Sequence, residues 1–375
     1  MRDFLKSRQP LMSRVYQLIW RLISLIWILA CIGFVMLFSA AGGSFFPWLI
    51  KQLIYFFIFF PIMILIAITD IKFWFKIAYP CYFIALIMLI IVDIMGHNSM
   101  GATRWVRIGG AITVQPSEIM KICMVFALAK YFYNIEAEEI QKIRFIIIPL
   151  LIIAVPAFFI FDQPDLGTAS ILLMVGIGVL FVAGVKMWKF VAVGISGLIA
   201  IPFLWNFVLY DYQKKRILNF IDPNNDPLGS GYNIIQSKIA IGSGGFYGKG
   251  LLNGTQGQLD FLPERQTDFI FTMLSEELGF IGSVFTITVY SLIIYLGTSI
   301  ALKTKHQFGR LLVMGVMTIF FVHMFINIGM VTGIIPVVGA PLPLISYGGT
   351  ITATILIGFG LVLNVDLNKD VDLKI

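Results

Sequence analysis

The chain has 375 residues, 59% of them hydrophobic and only 13% charged, with a formal net charge of +7. So many apolar runs of spanning length exclude a soluble protein, and short alternating segments that would build a membrane barrel are missing. The basic excess is dispersed over short loops, which points to membrane topology and away from nucleic acid as a partner.

About ten runs meet the ~20-residue criterion for a spanning helix. They cover 18–40, 48–68, 73–95, 119–133, 145–161, 168–185, 190–210, 269–302, 311–331 and 350–365. The expected fold is an all-α integral membrane protein, a single polytopic domain over 1–375, with a long extracytoplasmic loop of about 211–268 between helices seven and eight. Arg2, Lys6, Arg8, Arg14 and Arg21 precede the first run, so the N-terminus is expected in the cytoplasm. Ser39-Ala40-Ala41 weakly matches a signal cleavage site, but the apolar run before it exceeds a signal core, so an uncleaved first helix is expected. Alternating from there, the inner loops hold Lys72, Lys76, Lys130, Lys142, Arg144, Lys186, Lys189, Lys303, Lys305 and Arg310, and the tail holds Lys369 and Lys374. The short outer loops hold only Lys51, Arg104 and Arg107, which places both termini inside. Cys31, Cys81 and Cys123 fall within separate runs without metal-ligand spacing and read as packing residues.

Four outer segments depart from connector chemistry. In the first, 98–121, Pro116-Ser117-Glu118 reads as a helix start with Ser117 as N-cap, and Glu118 and Lys121 are adjacent on that helix. They read equally as a structural ion pair or as substrate contacts. The second is Asp162-Gln-Pro-Asp165, a turn in which Asp165 caps the next helix. In the long loop, Tyr212, Ile217, Phe220, Tyr232, Ile234, Ile235 and Ile239 suggest short amphipathic helices on the membrane face. Its glycine-rich run 242–250 reads as backbone that must approach something closely. The fourth, 327–349, is dense in Pro and Gly and predicts a rigid non-helical stretch, tolerable only under protein or water.

The loop-to-helix seam at 261–279 concentrates charge, with Glu264, Arg265, Asp268, Glu276 and Glu277 in a chain otherwise poor in it. At helical spacing Asp268, Thr272, Ser275, Glu276 and Gly279 share a face that hydrocarbon would reject. An Asp at a helix start is most often a cap, and a buried Glu most often bonds a neighbouring helix. His323 with Asn327 reads as a bond between helices.

Across these segments the chain resembles the SEDS family (shape, elongation, division and sporulation). The resemblance is carried by Arg104-Trp105, Gln115-Pro-Ser-Glu118 with Lys121, Gln163-Pro-Asp-Leu-Gly-Thr168, 240–250, Phe261-Leu-Pro-Glu264, Thr267-Asp-Phe269 and 341–349. The ending 336–343 is similar to the elongation members rather than the division members. The resemblance implies a ten-span peptidoglycan glycosyltransferase of the cytoplasmic (inner) membrane. It would polymerise lipid II into a nascent glycan strand on the outer face, during elongation and rod-shape maintenance. It also implies a class B penicillin-binding protein as crosslinking partner, among other membrane proteins of the elongation complex. The family's essential carboxylate falls on Asp268. Gln266 stands where relatives often carry His.

Such a reaction needs a base for a sugar hydroxyl, positive charge at a departing pyrophosphate, and a groove for lipid tails. Pyrophosphate leaves readily, so one carboxylate suffices where a glycosidase needs two. Asp268 is the candidate base. Arg104, Lys121, Lys238, Lys249, Arg265 or a bound divalent cation (Mg²⁺ or Mn²⁺) would neutralise the phosphates. Glu118, Glu264, Thr267 and Ser346 complete the candidate substrate-binding set. Two other functions fit an outer polar face: a lipid II flippase, disfavoured because the polar motifs crowd the outer boundary and no internal repeat appears, and a non-catalytic scaffold.

Overall fold

The structure, a computed structural model, describes residues 18–95, 97–99, 102–108, 112–136, 138–207, 209, 214, 217–220, 222, 230–259 and 261–373. Its helices are α1 (Trp20–Ala40), α2 (Trp48–Ile68), α3 (Ile71–Met95), α4 (Pro116–Tyr133), α5 (Arg144–Asp162), α6 (Leu166–Ala183) and α7 (Met187–Phe207). Then follow α8 (Ser230–Ser243), the single turn α9 (Thr255–Gln258), α10 (Ile270–Lys303), α11 (Gln307–Thr332) and α12 (Gly349–Leu367). Lipid offers backbone groups no partner, so each spanning run closes its own hydrogen bonds as a helix. Each of the ten apolar runs holds a helix, and eight helices among the described residues are long and apolar enough to cross a membrane. The chain is therefore a multi-pass membrane protein. The other two are α4, which carries Glu118, Lys121 and Lys130, and α7, whose apolar part is Met187–Phe203.

The body is helical as expected, with one addition. Between α3 and α4 three short strands, β1 (His97–Ser99), β2 (Ala102–Ile108) and β3 (Ile112–Val114), form an antiparallel sheet in that order. Val106 pairs with Val114, and Trp105 with His97. The expected N-cap is also displaced. Gln115 precedes α4 and Pro116 takes its first position, where the missing N–H costs nothing. Asp165 does cap α6, accepting from Thr168 N at 3.0 Å and Thr168 Oγ1 at 2.8 Å.

Helix α4 is buried on nearly every side, packed by α3, α5, α6 and α11, whereas α7 is exposed along most of its length. Helix α12 lies along α2 and is pinned at both ends. At one end Gln52 donates to Thr352 Oγ1 (2.9 Å) and accepts from Gly348 N (3.1 Å). At the other, Asn364 Nδ2 donates to the carbonyls of Ile66 (3.0 Å) and Thr69 (2.7 Å), serving acceptors that the end of α2 leaves open.

Helix α10 is not continuous. Gly279, at φ 68° and ψ −162°, splits its 34 residues into two helical pieces. The glycine-rich loop after α8 fills the break. Lys249 N and Gly250 N donate to the carbonyls of Glu276 and Glu277, both at 3.0 Å, while Phe280 N and Ile281 N donate to those of Gly245 (3.0 Å) and Phe246 (3.2 Å). Every exchanged bond satisfies a group that the break would otherwise orphan in lipid. A Cβ on Gly248 would lie 2.1 Å from the Glu277 carbonyl oxygen, so the loop approaches this closely only as glycine.

At the opposite end, His306 caps α11 by accepting from Gly309 N at 2.9 Å through Nδ1. Burial pushes this imidazole's pKa below its usual value, and the Asn368 backbone pulls it partway back up. A depressed histidine pKa means that below about pH 6.5 the unfolded chain takes up a proton that the native chain refuses. Native stability should thus fall as pH drops through that range and level off below the folded pKa. Unfolding temperatures in detergent from pH 7.5 to 5 should show this decline, flattened in His306→Asn, which keeps a capping acceptor.

Candidate active site

Residues 261–269 lead into α10 through a tight turn. Glu264 adopts the left-handed conformation (φ 54°), and its carbonyl accepts from Thr267 N at 3.0 Å. Its carboxylate folds back on the same turn, accepting from Gln266 Nε2 (3.0 Å) and Thr267 Oγ1 (3.2 Å). The turn projects the half-buried Asp268 beside the start of α10. There a cleft of about 160 Å³ is lined by Asn233 and Ile234 of α8, Pro263, Glu264, Asp268 and Val337.

Of the 327–349 stretch expected to be non-helical, 327–332 instead continues α11, whose own hydrogen bonds run to Thr332, and Gly349 opens α12. The remainder, 334–348, is non-helical and backs directly onto the turn. Tyr347 N donates to the Gln266 carbonyl at 2.8 Å. Ser346 Oγ donates to the Thr267 carbonyl at 2.6 Å and accepts from Leu342 N at 2.7 Å. Asn327 Nδ2 donates to the carbonyls of Asp268 (3.0 Å) and Ala340 (2.7 Å). Three consecutive turn residues, 266–268, are thus held by backbone or buried side chains rather than by solvent.

The structure brings Asp268 and Glu264 together and disperses most of the candidate cations. Lys249 bonds the fully buried Glu276 at 2.7 Å. Arg265 Nε donates to the Ala40 carbonyl at 2.9 Å, its Nη1 bonds the Gly257 carbonyl, and its guanidinium lies over Trp48. Lys121 bonds Glu118 at 2.7 Å and touches His323 Nε2 at 2.5 Å, all three buried inside the bundle. Ser346 is fully buried, so its hydroxyl serves the backbone. Lys238 is exposed on α8, one helical turn beyond Ile234 and against Gly333. Arg104 lies in β2, and its side chain falls outside the described residues, as does Tyr212. Sequence reasoning missed Asn233 and Val337 in the cleft, because only folding brings them to Asp268. Among the described residues no group of three or more His, Cys, Asp or Glu converges as a metal site.

Known proteins share this many-helix membrane fold. Residues 19–371 match the model of the FtsW/RodA/SpoVE family, described as a cell cycle protein, and the chain belongs to that family. It is 46% identical over 289 residues to the peptidoglycan glycosyltransferase MrdB of Escherichia coli K12, covering 77% of each chain. It is 31% identical over 376 residues to the probable peptidoglycan glycosyltransferase FtsW of Aliivibrio salmonicida, covering 98% of this chain and 92% of that one. Among solved structures it resembles a chain of a peptidoglycan synthase complex described as coordinating polymerization and crosslinking, with TM-score 0.82, 32% identity and coverage of 95% and 99%. It also resembles the rod shape determining protein RodA of Thermus thermophilus, with TM-score 0.71 and 27% identity over 95% of this chain and 99% of that one.

Proposed function

We propose that the chain is a peptidoglycan glycosyltransferase that polymerises lipid II into glycan strands during cell elongation. The observation that carries this reading is the pairing of Asp268 and Glu264 in one cleft, on a turn too firmly braced to be a simple connector. Asp268 acts as general base. Its carboxylate takes the proton of the acceptor sugar's 4-hydroxyl as that oxygen bonds the anomeric carbon of the donor. The carbon–oxygen bond to undecaprenyl pyrophosphate breaks, and the pyrophosphate leaves with the electron pair. One displacement inverts the centre, so an α-linked donor yields a β-linked strand. Glu264, committed to Gln266 and Thr267, shapes the turn that presents Asp268.

Lys238 is the described candidate cation left for the pyrophosphate, since Lys121, Lys249 and Arg265 are occupied inside the protein; Arg104 is kept as a second on the strength of its motif alone. A divalent cation, where one takes part, would supply further charge neutralisation. Glu264 and Asp268 could hold it only with phosphate oxygens completing the shell, because two carboxylates are too few for a protein-only site.

The cleft faces the outer side of the membrane and both termini lie in the cytoplasm, because Lys72, Lys142, Lys186 and Lys305 all fall at the bundle end opposite Asp268. A class B penicillin-binding protein is the partner, supplying the crosslinking that this cleft has no nucleophile to perform. Purified protein with that partner, given lipid II, should yield glycan polymer on gels. Movement of lipid II across liposomes without any polymer would replace this reading with a flippase.

A further inference from the structure

Asn327 lies on α11, roughly 60 residues along the chain from Asp268, and is fully buried. Both of its amide protons are used: one bonds the Asp268 carbonyl at 3.0 Å, the other the Ala340 carbonyl at 2.7 Å. Its Oδ1 is buried without a partner. Buried polar atoms are rarely left unsatisfied in native proteins.

The two carbonyls it holds flank the reacting carboxylate. Ala340 follows Gly339, and a Cβ on Gly339 would stand 3.2 Å from Asp268 Oδ2. The carboxylate therefore rests against bare backbone at 339, where an added Cβ would crowd it. Gly339 is at φ +74°, so glycine also fits the turn. One amide group thus spans from the main chain of Asp268 to the wall that its side chain touches. Ser346 makes a parallel bridge one residue earlier, from the Thr267 carbonyl to Leu342 N.

We infer that Asn327 is a positioning residue for Asp268: its amide sets the base's main chain at a fixed distance from the Gly339–Ala340 wall and so aims the carboxylate into the cleft. The inference rests on Asp268 being the base. Misplacing a reacting group by about 1 Å costs on the order of 10²-fold in rate. The cost falls on kcat, because Asn327 lies behind the turn and is not among the residues lining the cleft.

The test uses the purified chain in complex with its penicillin-binding partner, with initial polymerisation rates measured over a range of lipid II concentrations. Asn327→Leu matches the shape and removes both donors without burying a charge. It should lower kcat by about 10²-fold with KM changed less than about threefold. The unfolding temperature in detergent reports whether the bundle survives. A wild-type kcat in folded Asn327→Leu, or a loss carried wholly by KM, overturns the positioning role while Asp268→Asn remains inactive. Polymer made by Asp268→Asn overturns the base assignment and this inference together. Should Asn327→Leu fail to fold, Asn327→Ser keeps a polar group too short to bridge the Asp268 and Ala340 carbonyls. It must then show the same kcat-selective loss, and a wild-type kcat there overturns the inference.

Discussion

Asp268→Asn should abolish detectable glycan polymer while leaving the fold intact. The amide has the carboxylate's shape but cannot take up the hydroxyl proton. The turn that holds residue 268 does so through backbone: Asn327 bonds its carbonyl, and Ser346 bonds the one before it. Neither contact depends on the charge of the side chain. A positioned general base contributes about 10²–10⁴-fold, and polymerisation repeats the step at every added disaccharide, so a loss of that size per step leaves little long product. Glu264→Gln is the informative companion. It keeps the acceptor for Gln266 or Thr267 within the turn and should retain more activity than Asp268→Asn. Gel-resolved polymer from labelled lipid II measures both. Equal rates for Asp268→Asn and the wild type would remove the base from the mechanism.

Much of this architecture was legible because lipid makes severe demands on sequence. A spanning helix needs a long apolar run, and the runs at 48–68 and 145–161 coincide with α2 and α5 to within a residue. Asp165 at the start of α6 was readable for the same reason: a cap is a local device, closed within three residues. The sheet at 97–114 was not legible, since β1 and β3 have three residues each and carry no pattern long enough to count. Nor was the break at Gly279, where one glycine within an apolar run looks like any other. The glycines at 242–250 did announce a close approach, but not that the approach was to α10. That pairing is a tertiary fact.

The candidate cations show the limit most clearly. Lys249 sits in a resembling motif, Arg265 lies between two of them, and both carry the right charge, yet Lys249 turns to Glu276 and Arg265 to the end of α1. Charge type is written in the sequence, but the direction a side chain takes depends on partners up to 225 residues away. Ser346 behaves likewise, as its motif marks it while its burial assigns it to the backbone. The cleft was foreseeable as chemistry around Asp268, whereas its bracing by α11 and the 334–348 stretch required the fold.

Lys121→Met should be among the most destabilising single changes in the bundle. Lys121 is fully buried on α4, with Glu118 Oε1 at 2.7 Å and His323 Nε2 at 2.5 Å. A charged lysine can only donate, so His323 accepts through Nε2 and carries its proton on Nδ1. Removing the ammonium leaves a buried carboxylate with no counter-charge, a loss of about 3–5 kcal/mol in comparable sites. Glu118→Leu should cost a similar amount by stranding the lysine. The double variant, Glu118→Leu with Lys121→Met, should recover much of the loss, because swapping a whole buried pair for apolar residues is often neutral. Unfolding curves of the four proteins give the coupling directly. The same set also decides what the pair is for. Lys121 has no exposed surface with which to meet a pyrophosphate, so a folded double variant should still make polymer. A double variant that folds with wild-type stability and makes none would move Glu118 and Lys121 from scaffold to substrate.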